Sequence, residues 1–101
     1  MKVTAEICLV PIGTDVSLSP YITACVRALE EAGLNPQLHA YGTNIEGTWD
    51  EVFDALRSCH EIVHRMGAPR ILTTLKVGTR TDREQSCQEK IDSVSVKLAD
   101  S

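Results

Sequence analysis

Val3, Ala5, Ile7 and Leu9 alternate with Thr4, Glu6, Cys8 and Val10. A period of two marks a strand with one buried face. A first strand is therefore predicted, ended by Pro11-Ile12-Gly13-Thr14. The period then lengthens to a helical one, with Ile22, Cys25, Val26 and Leu29 on one stripe. Ser19-Pro20 precedes it, as an N-cap followed by proline at the first helical position, and the helix is predicted to run to about Ala32. Gln37 to Tyr41 reads as the second strand, Gly42-Thr43 as a tight turn, and Asn44-Ile45-Glu46 as the third strand. Thr48-Trp49-Asp50-Glu51 is a capping box, in which hydroxyl and carboxylate satisfy orphan amides reciprocally. It opens a second helix that buries Val52, Ala55, Leu56, Cys59, Val63 and Met66. The fourth strand covers about Arg70 to Gly78. A second box, Thr81-Asp82-Arg83-Glu84, is expected to open a third helix whose apolar seam is Cys87, Ile91, Val94 and Leu98.

One punctuation recurs: Gly33 with Pro36, and Gly67 with Pro69. Glycine past a helix supplies a left-handed cap, and proline blocks continuation. Two such junctions divide the chain into two strand–helix–strand halves. The order β-α-β-β-α-β plus a C-terminal helix gives an α+β, ferredoxin-like sandwich. Strands one and three are expected side by side and parallel at its centre. The first two helices should cover the face bearing Val3, Ala5, Ile7, Leu9, Leu38, Ala40 and Ile45. The other face then carries Thr4, Glu6, Cys8, Gln37, His39, Tyr41, Asn44, Glu46, Leu72, Thr74 and Lys76. That mixture is too polar for a core and too apolar for a purely solvated surface, so the face is expected to meet a subunit, the third helix or a ligand. Lys76 should reach Glu6. The Gly13 and Gly47 loops are expected at one end of the sheet, and Gly42 and Gly78 at the other.

The 101 residues amount to one domain, 1–101, whose core would gain from self-association. A net charge of −4, and the lack of stacking aromatics on strands one and three, argue against nucleic acid. No stretch is apolar enough to span a membrane, and Glu6 interrupts any signal-peptide core, so a soluble cytoplasmic protein is expected. The four cysteines have no metal-type spacing and read as reduced packing residues.

His60-Glu61-Ile62-Val63-His64 matches the H-E-x-x-H zinc pattern. The two histidines, however, lie on the flank of the second helix beside Phe53. The other histidine, His39, falls on the far face of the sheet, so no third ligand is at hand. Metal binding through His60 and His64 is an alternative, and no metal site is assigned. Thr14, Ser17 and Ser19 stand beside a helix N-terminus without a Lys or Arg, which favours capping over anion binding. Arg80 and Asp82 suit a structural pair fixing the third helix. Trp49 suits packing at the start of the second helix, or stacking on a ring. No nucleophile–base pair is spelled out.

Several segments carry a family resemblance in order and spacing. They are Val10-Pro11-Ile12-Gly13-Thr14, Ser17-Leu18-Ser19-Pro20-Tyr21, Gly42-Thr43-Asn44-Ile45-Glu46-Gly47, His60-Glu61, Gly67-Ala68-Pro69-Arg70-Ile71 and Lys76-Val77-Gly78-Thr79-Arg80-Thr81-Asp82. Over nearly its whole length the chain resembles the small thiamine-binding-protein family of the YkoF-like group, long listed as a family of unknown function. The resemblance implies a ferredoxin-like fold and homo-oligomers, dimers or tetramers, built through the sheets. It also implies binding of thiamine or its hydroxymethylpyrimidine part, without catalysis and with no cofactor. Thr43, Asn44 and Glu46 are the first candidate contacts, then Glu6 and Tyr41, then Ser17 and Ser19. Glu46 and Glu6 would accept from the aminopyrimidine, and Tyr41 would stack or offer its hydroxyl. A regulatory or structural oligomer with another ligand is the alternative.

Overall fold

Strand β1, Lys2–Ile12, buries Val3, Ala5, Ile7, Leu9 and Pro11 in strict alternation. The structure, a computed structural model, describes residues 1–14 and 16–100. The elements that follow are helix α1 (Ser19–Glu31), strands β2 (Gln37–His39) and β3 (Gly42–Thr48), helix α2 (Trp49–Arg65), strand β4 (Arg70–Thr79) and helix α3 (Cys87–Ala99). The sheet order is β2-β3-β1-β4. This is the ferredoxin-like β-α-β-β-α-β sandwich with an added C-terminal helix.

The expected parallel pairing of strands one and three is corrected, because β1 and β3 are antiparallel. A helical crossover returns β2 parallel to β1, and the β2–β3 hairpin then reverses direction, so β3 must oppose β1. Two consequences follow from the register. Gly47 sits opposite Val3 and Gly78 opposite Thr4, at the start of β1, whereas Gly42 adjoins the Ile7 end, towards Gly13. The glycine loops therefore group as Gly13 with Gly42 and Gly47 with Gly78, not as the sequence suggested. Pro11 also lies inside β1 rather than ending it. There β1 is paired only with β4, since the β3 ladder stops at Ile7, and proline can occupy a strand position lacking a partner on one side.

The core lies between the sheet and the α1–α2 layer. Val3, Ile45, Leu29, Leu34, Val52, Cys59 and Val63 are almost fully enclosed, each worth up to about 1.5–3 kcal/mol of burial for the larger side chains. Leu38 shares this face by register with Thr43 and Ile7 but is 62% exposed, and Ala40 lies beyond β2 in the turn. The short β2 projects past the cover that α1 provides, so neither joins the core as expected.

Helix starts divide between foresight and correction. The box at Thr48 and Glu51 forms, with Thr48 N–H donating to Glu51 Oε1 at 2.9 Å. For α1 the N-cap is Leu18 without a side-chain bond, which makes Ser19 the first helical residue rather than the cap. The third helix does not open at Thr81. Arg80 instead binds Asp82 through both its Nε, at 2.8 Å to Oδ1, and a terminal nitrogen, and reaches Gln85 Oε1 at 2.8 Å. That clamp holds the 80–85 segment out of helix, and a capping box of Ser86 and Glu89 opens α3 five residues later. Ile91, Val94 and Leu98 of α3 remain 46%, 58% and 69% exposed.

Candidate functional site

Period-two geometry separates the candidate residues between the two faces of the sheet. Thr43 pairs with Ile7, and at 6% exposure it belongs to the helix-covered side. Asn44 pairs with Glu6, and Glu46 with Thr4, on the open side. Thr43 and Asn44 are neighbours in sequence and cannot touch the same face. A cavity borders each of these two faces among the described residues.

The first cavity, about 490 Å³, opens between α1 and the β2–β3 hairpin. Ser19, Tyr41 and Thr43 line it with apolar residues such as Ile22, Val26 and Leu29. It exists because α1 leaves the Leu38 side of the hairpin uncovered. Tyr41 stands at its rim in the turn, 87% exposed. Cys25 and Cys59 close its floor. The Cys59 thiol donates to the Cys25 carbonyl at 3.9 Å. Contact with Cys59, followed by burial, pushes the Cys25 thiol far up, so Cys25 packs as a neutral thiol.

The second cavity, about 400 Å³, lies on the open face beneath the start of α3. Glu6, Asn44, Thr4 and Lys76 lie on the sheet side, and Cys87, Lys90 and Ile91 come from α3. Glu6 is positioned from both sides. His39 Nε2 lies 3.2 Å from Oε2, and Lys76 Nζ lies 3.8 Å from Oε1. The expected reach of Lys76 is thus present, and His39 adds a contact that residue spacing did not disclose. Gly42 makes room for that contact, since a Cβ there would come within 3.0 Å of the Ile7 carbonyl and 3.3 Å of both Glu6 and His39. His39 Nδ1 also accepts the Tyr41 N–H at 3.4 Å, which fixes the ring at the hairpin end.

Glu46 lines neither cavity. Its Oε2 accepts the Cys87 backbone N–H at 2.8 Å, and its Oε1 accepts the Asn35 amide at 3.2 Å. Partial burial opposes its ionisation, but the Cys87 and Asn35 bonds and the charge of Lys2 prevail, so its pKa is lowered. The carboxylate therefore joins the first turn of α3 to the sheet. Cys87 in turn has its thiol pushed up by burial and by the Glu46 charge. Ser17 is exposed and lines neither cavity. Thr4 was expected on this face but not singled out as a contact, and Lys90 was not foreseen at all. Lys90 came into view only once the true start of α3 set which of its residues meet the sheet.

The histidine pair is engaged elsewhere. His60 Nε2 lies 2.7 Å from Thr73 Oγ1, and His64 Nδ1–H donates to the Ala68 carbonyl at 2.8 Å. Among the described residues no three His, Cys, Asp or Glu side chains gather as a metal would require, and no helix is long and apolar enough to cross a membrane. Trp49 packs on Phe53, with ring centroids 4.8 Å apart.

Comparison with known proteins places this geometry. A UPF0045 protein of Synechocystis sp. is 54% identical over 101 residues, covering 100% of this chain and 84% of the relative. A UPF0045 protein of Eremothecium gossypii is 44% identical over 96 residues, covering 94% and 91%. The crystal structure of a hypothetical protein from Methanocaldococcus jannaschii superposes with a TM-score of 0.86 at 29% identity, covering 93% of this chain and 96% of that one. A Thermotoga maritima structure, of a protein proposed to act in thiamine biosynthesis or salvage, shares the fold at TM-score 0.80 and 21% identity, covering 93% and 99%. Residues 5–95 match the pattern of the thiamine-binding protein family. With that match spanning most of its length and relatives of such identity, the chain belongs to the thiamine-binding protein family.

Proposed function

We propose that the protein binds thiamine, or its hydroxymethylpyrimidine part, without catalysing a reaction, in the open-face cavity beneath α3. The observation that carries this reading is the facing pair of Glu6 and Asn44 on the cavity floor. Directly opposed residues of an antiparallel pair hold their Cβ atoms about 5 Å apart. A carboxylate and a carboxamide at that spacing offer an acceptor for an exocyclic amine and a donor for a ring nitrogen, the two groups an aminopyrimidine edge presents. The same carboxylate favours a nearby thiazolium cation. Ile91 supplies an apolar wall, so the site combines a few directed polar groups with a hydrophobic surface.

The protein acts as a homo-oligomer in this reading. The apolar seam of α3 and Leu72, 63% exposed on the open face, support it, as does the outer edge of β4.

Calorimetric titration with thiamine tests the site. The native chain should bind saturably, and Glu6→Gln should weaken binding about tenfold, the worth of one hydrogen bond to a charged group. Absence of binding by the native chain would overturn the reading. Loss of affinity in Thr43→Val and Tyr41→Ala, with Glu6→Gln unaffected, would instead move the ligand to the 490 Å³ cavity.

A further inference from the structure

The open-face cavity continues past Thr4. Thr4, Gly78 and Lys90 also border a second hollow of about 300 Å³ at the start of β1. Its character is different. Lys2, Arg80, Arg83 and Lys90 gather there with Glu84 as the one acidic side chain of the lining. In a chain of net charge −4 this is a local reversal of sign.

Three of these cations form no salt bridge among the described residues, although the charge of Lys2 is felt by Glu46. Arg80 is held by Asp82 and Gln85 and serves to shape the 80–85 segment. Lys2, Arg83 and Lys90 enter none of the ion pairs within 4.0 Å found among the described residues. Lys2 follows the same strand parity as Thr4 and Glu6, so all three lie along the open face.

The passage between the two hollows is the Thr4–Gly78 register pair. Residue 78 lies on the open face, two positions beyond Lys76. A Cβ at 78 would meet only Thr4, at 3.4 Å from its hydroxyl and 3.8 Å from its carbonyl. The backbone would accept a side chain there, and glycine leaves the floor of the trough bare. Four strand steps separate Glu6 from Lys2, a run of about 13 Å. That length holds two linked rings and a phosphorylated side arm.

We propose that the basic hollow takes the phosphate of a phosphorylated ligand. The ligand bound whole is then a phosphate ester of the heteroaromatic cation, with its pyrimidine on Glu6 and Asn44 and its phosphate among Lys2, Arg83 and Lys90. This rests on the open-face reading of the binding site and specifies the ligand class for it. Ammonium and guanidinium groups on phosphate oxygens make charge-assisted hydrogen bonds, and the bare floor at Gly78 lets one molecule reach both ends.

The test titrates the native chain and the double variant Lys2→Ala/Arg83→Ala with thiamine, thiamine monophosphate, thiamine diphosphate and inorganic pyrophosphate. Both substituted residues are exposed, so the fold should persist. Thiamine monophosphate should bind the native chain about tenfold more tightly than thiamine, an advantage that shrinks as salt is raised. The double variant should lose that advantage while its thiamine affinity stays within about twofold. Equal affinity for both forms, or an advantage that survives the double substitution, overturns the phosphate site and leaves the thiamine reading standing. If no form of thiamine binds, the ring site fails, and pyrophosphate decides the basic hollow alone. Binding abolished in the double variant retains the phosphate site, and no binding overturns it.

Discussion

The carboxylate of Glu46 accepts the backbone N–H of Cys87 at 2.8 Å, joining residues 41 positions apart. This contact lets a charged group on β3 cap the first turn of α3, where the helix dipole and orphan N–H groups favour an anion. Neutralising the carboxylate should loosen α3. Its folded pKa is lowered, so the stabilisation is complete above the ordinary carboxylate value of 4.5 and is lost as pH falls through the folded value beneath it. Hydrogen exchange of the α3 amides should therefore accelerate on acidification through that window. Glu46→Gln should remove the pH dependence and leave α3 loosened at neutral pH, at a cost of about 1 kcal/mol. Exchange in α3 that stays unchanged in Glu46→Gln would contradict this role.

The α1–β2 connection is keyed by Leu34 against Gly47. Leu34 is fully buried, and its carbonyl accepts the Glu46 N–H at 3.0 Å. A Cβ on residue 47 would lie 2.6 Å from Leu34 Cδ2. Gly47→Ala should cost about 1–3 kcal/mol through overpacking, and Leu34→Ala about 2–5 kcal/mol through the cavity left behind. In the double variant the smaller side chain at 34 removes the clash, so chemical denaturation should show less destabilisation than the two single losses added. Strict additivity would show that the two residues do not share this contact.

Ser86, not Thr81, caps α3, with its hydroxyl accepting the Glu89 N–H at 3.1 Å. Ser86→Ala should destabilise α3 by about 1 kcal/mol. Thr81→Ala should stay within about 0.5 kcal/mol of the native chain. Helicity and urea melting of the two variants distinguish the caps, and the reverse order of effects would restore the earlier helix start.

His60 and His64 are held by Thr73 and by the Ala68 carbonyl, with their ring centroids 6.3 Å apart. Bringing both onto one zinc ion would require turning His60 away from Thr73. A chelator should therefore leave the melting temperature unchanged, and added zinc should raise it by less than about 2 °C, since stabilisation by a bound ion grows with its affinity. A zinc-dependent rise well beyond that would assign a metal role to the pair.

Alternation and spacing along the chain were enough to define the buried face of β1, the Thr48–Glu51 box, the stripe of α1, that of α2 as far as Val63, and the β-α-β-β-α-β order, because each depends on neighbours within a few residues. Met66, expected to be buried, lies past the end of α2 and is 42% exposed. The Glu6–Lys76 approach was also legible, since both residues lie on the open face. Strand direction was not read correctly, because the reversal at the hairpin must be followed through the whole topology before β3 can be oriented. Thr81 and Ser86 both precede a Glu at the capping spacing, and only the Arg80–Asp82 clamp decides between them. The division of Thr43 from Asn44, the engagement of Glu46 with α3, and the two hollows that share Thr4, Gly78 and Lys90 were decided by tertiary structure. Sequence determines which side chains share a face. Which face receives a helix, and what room remains beneath it, depends on packing between elements far apart in the chain.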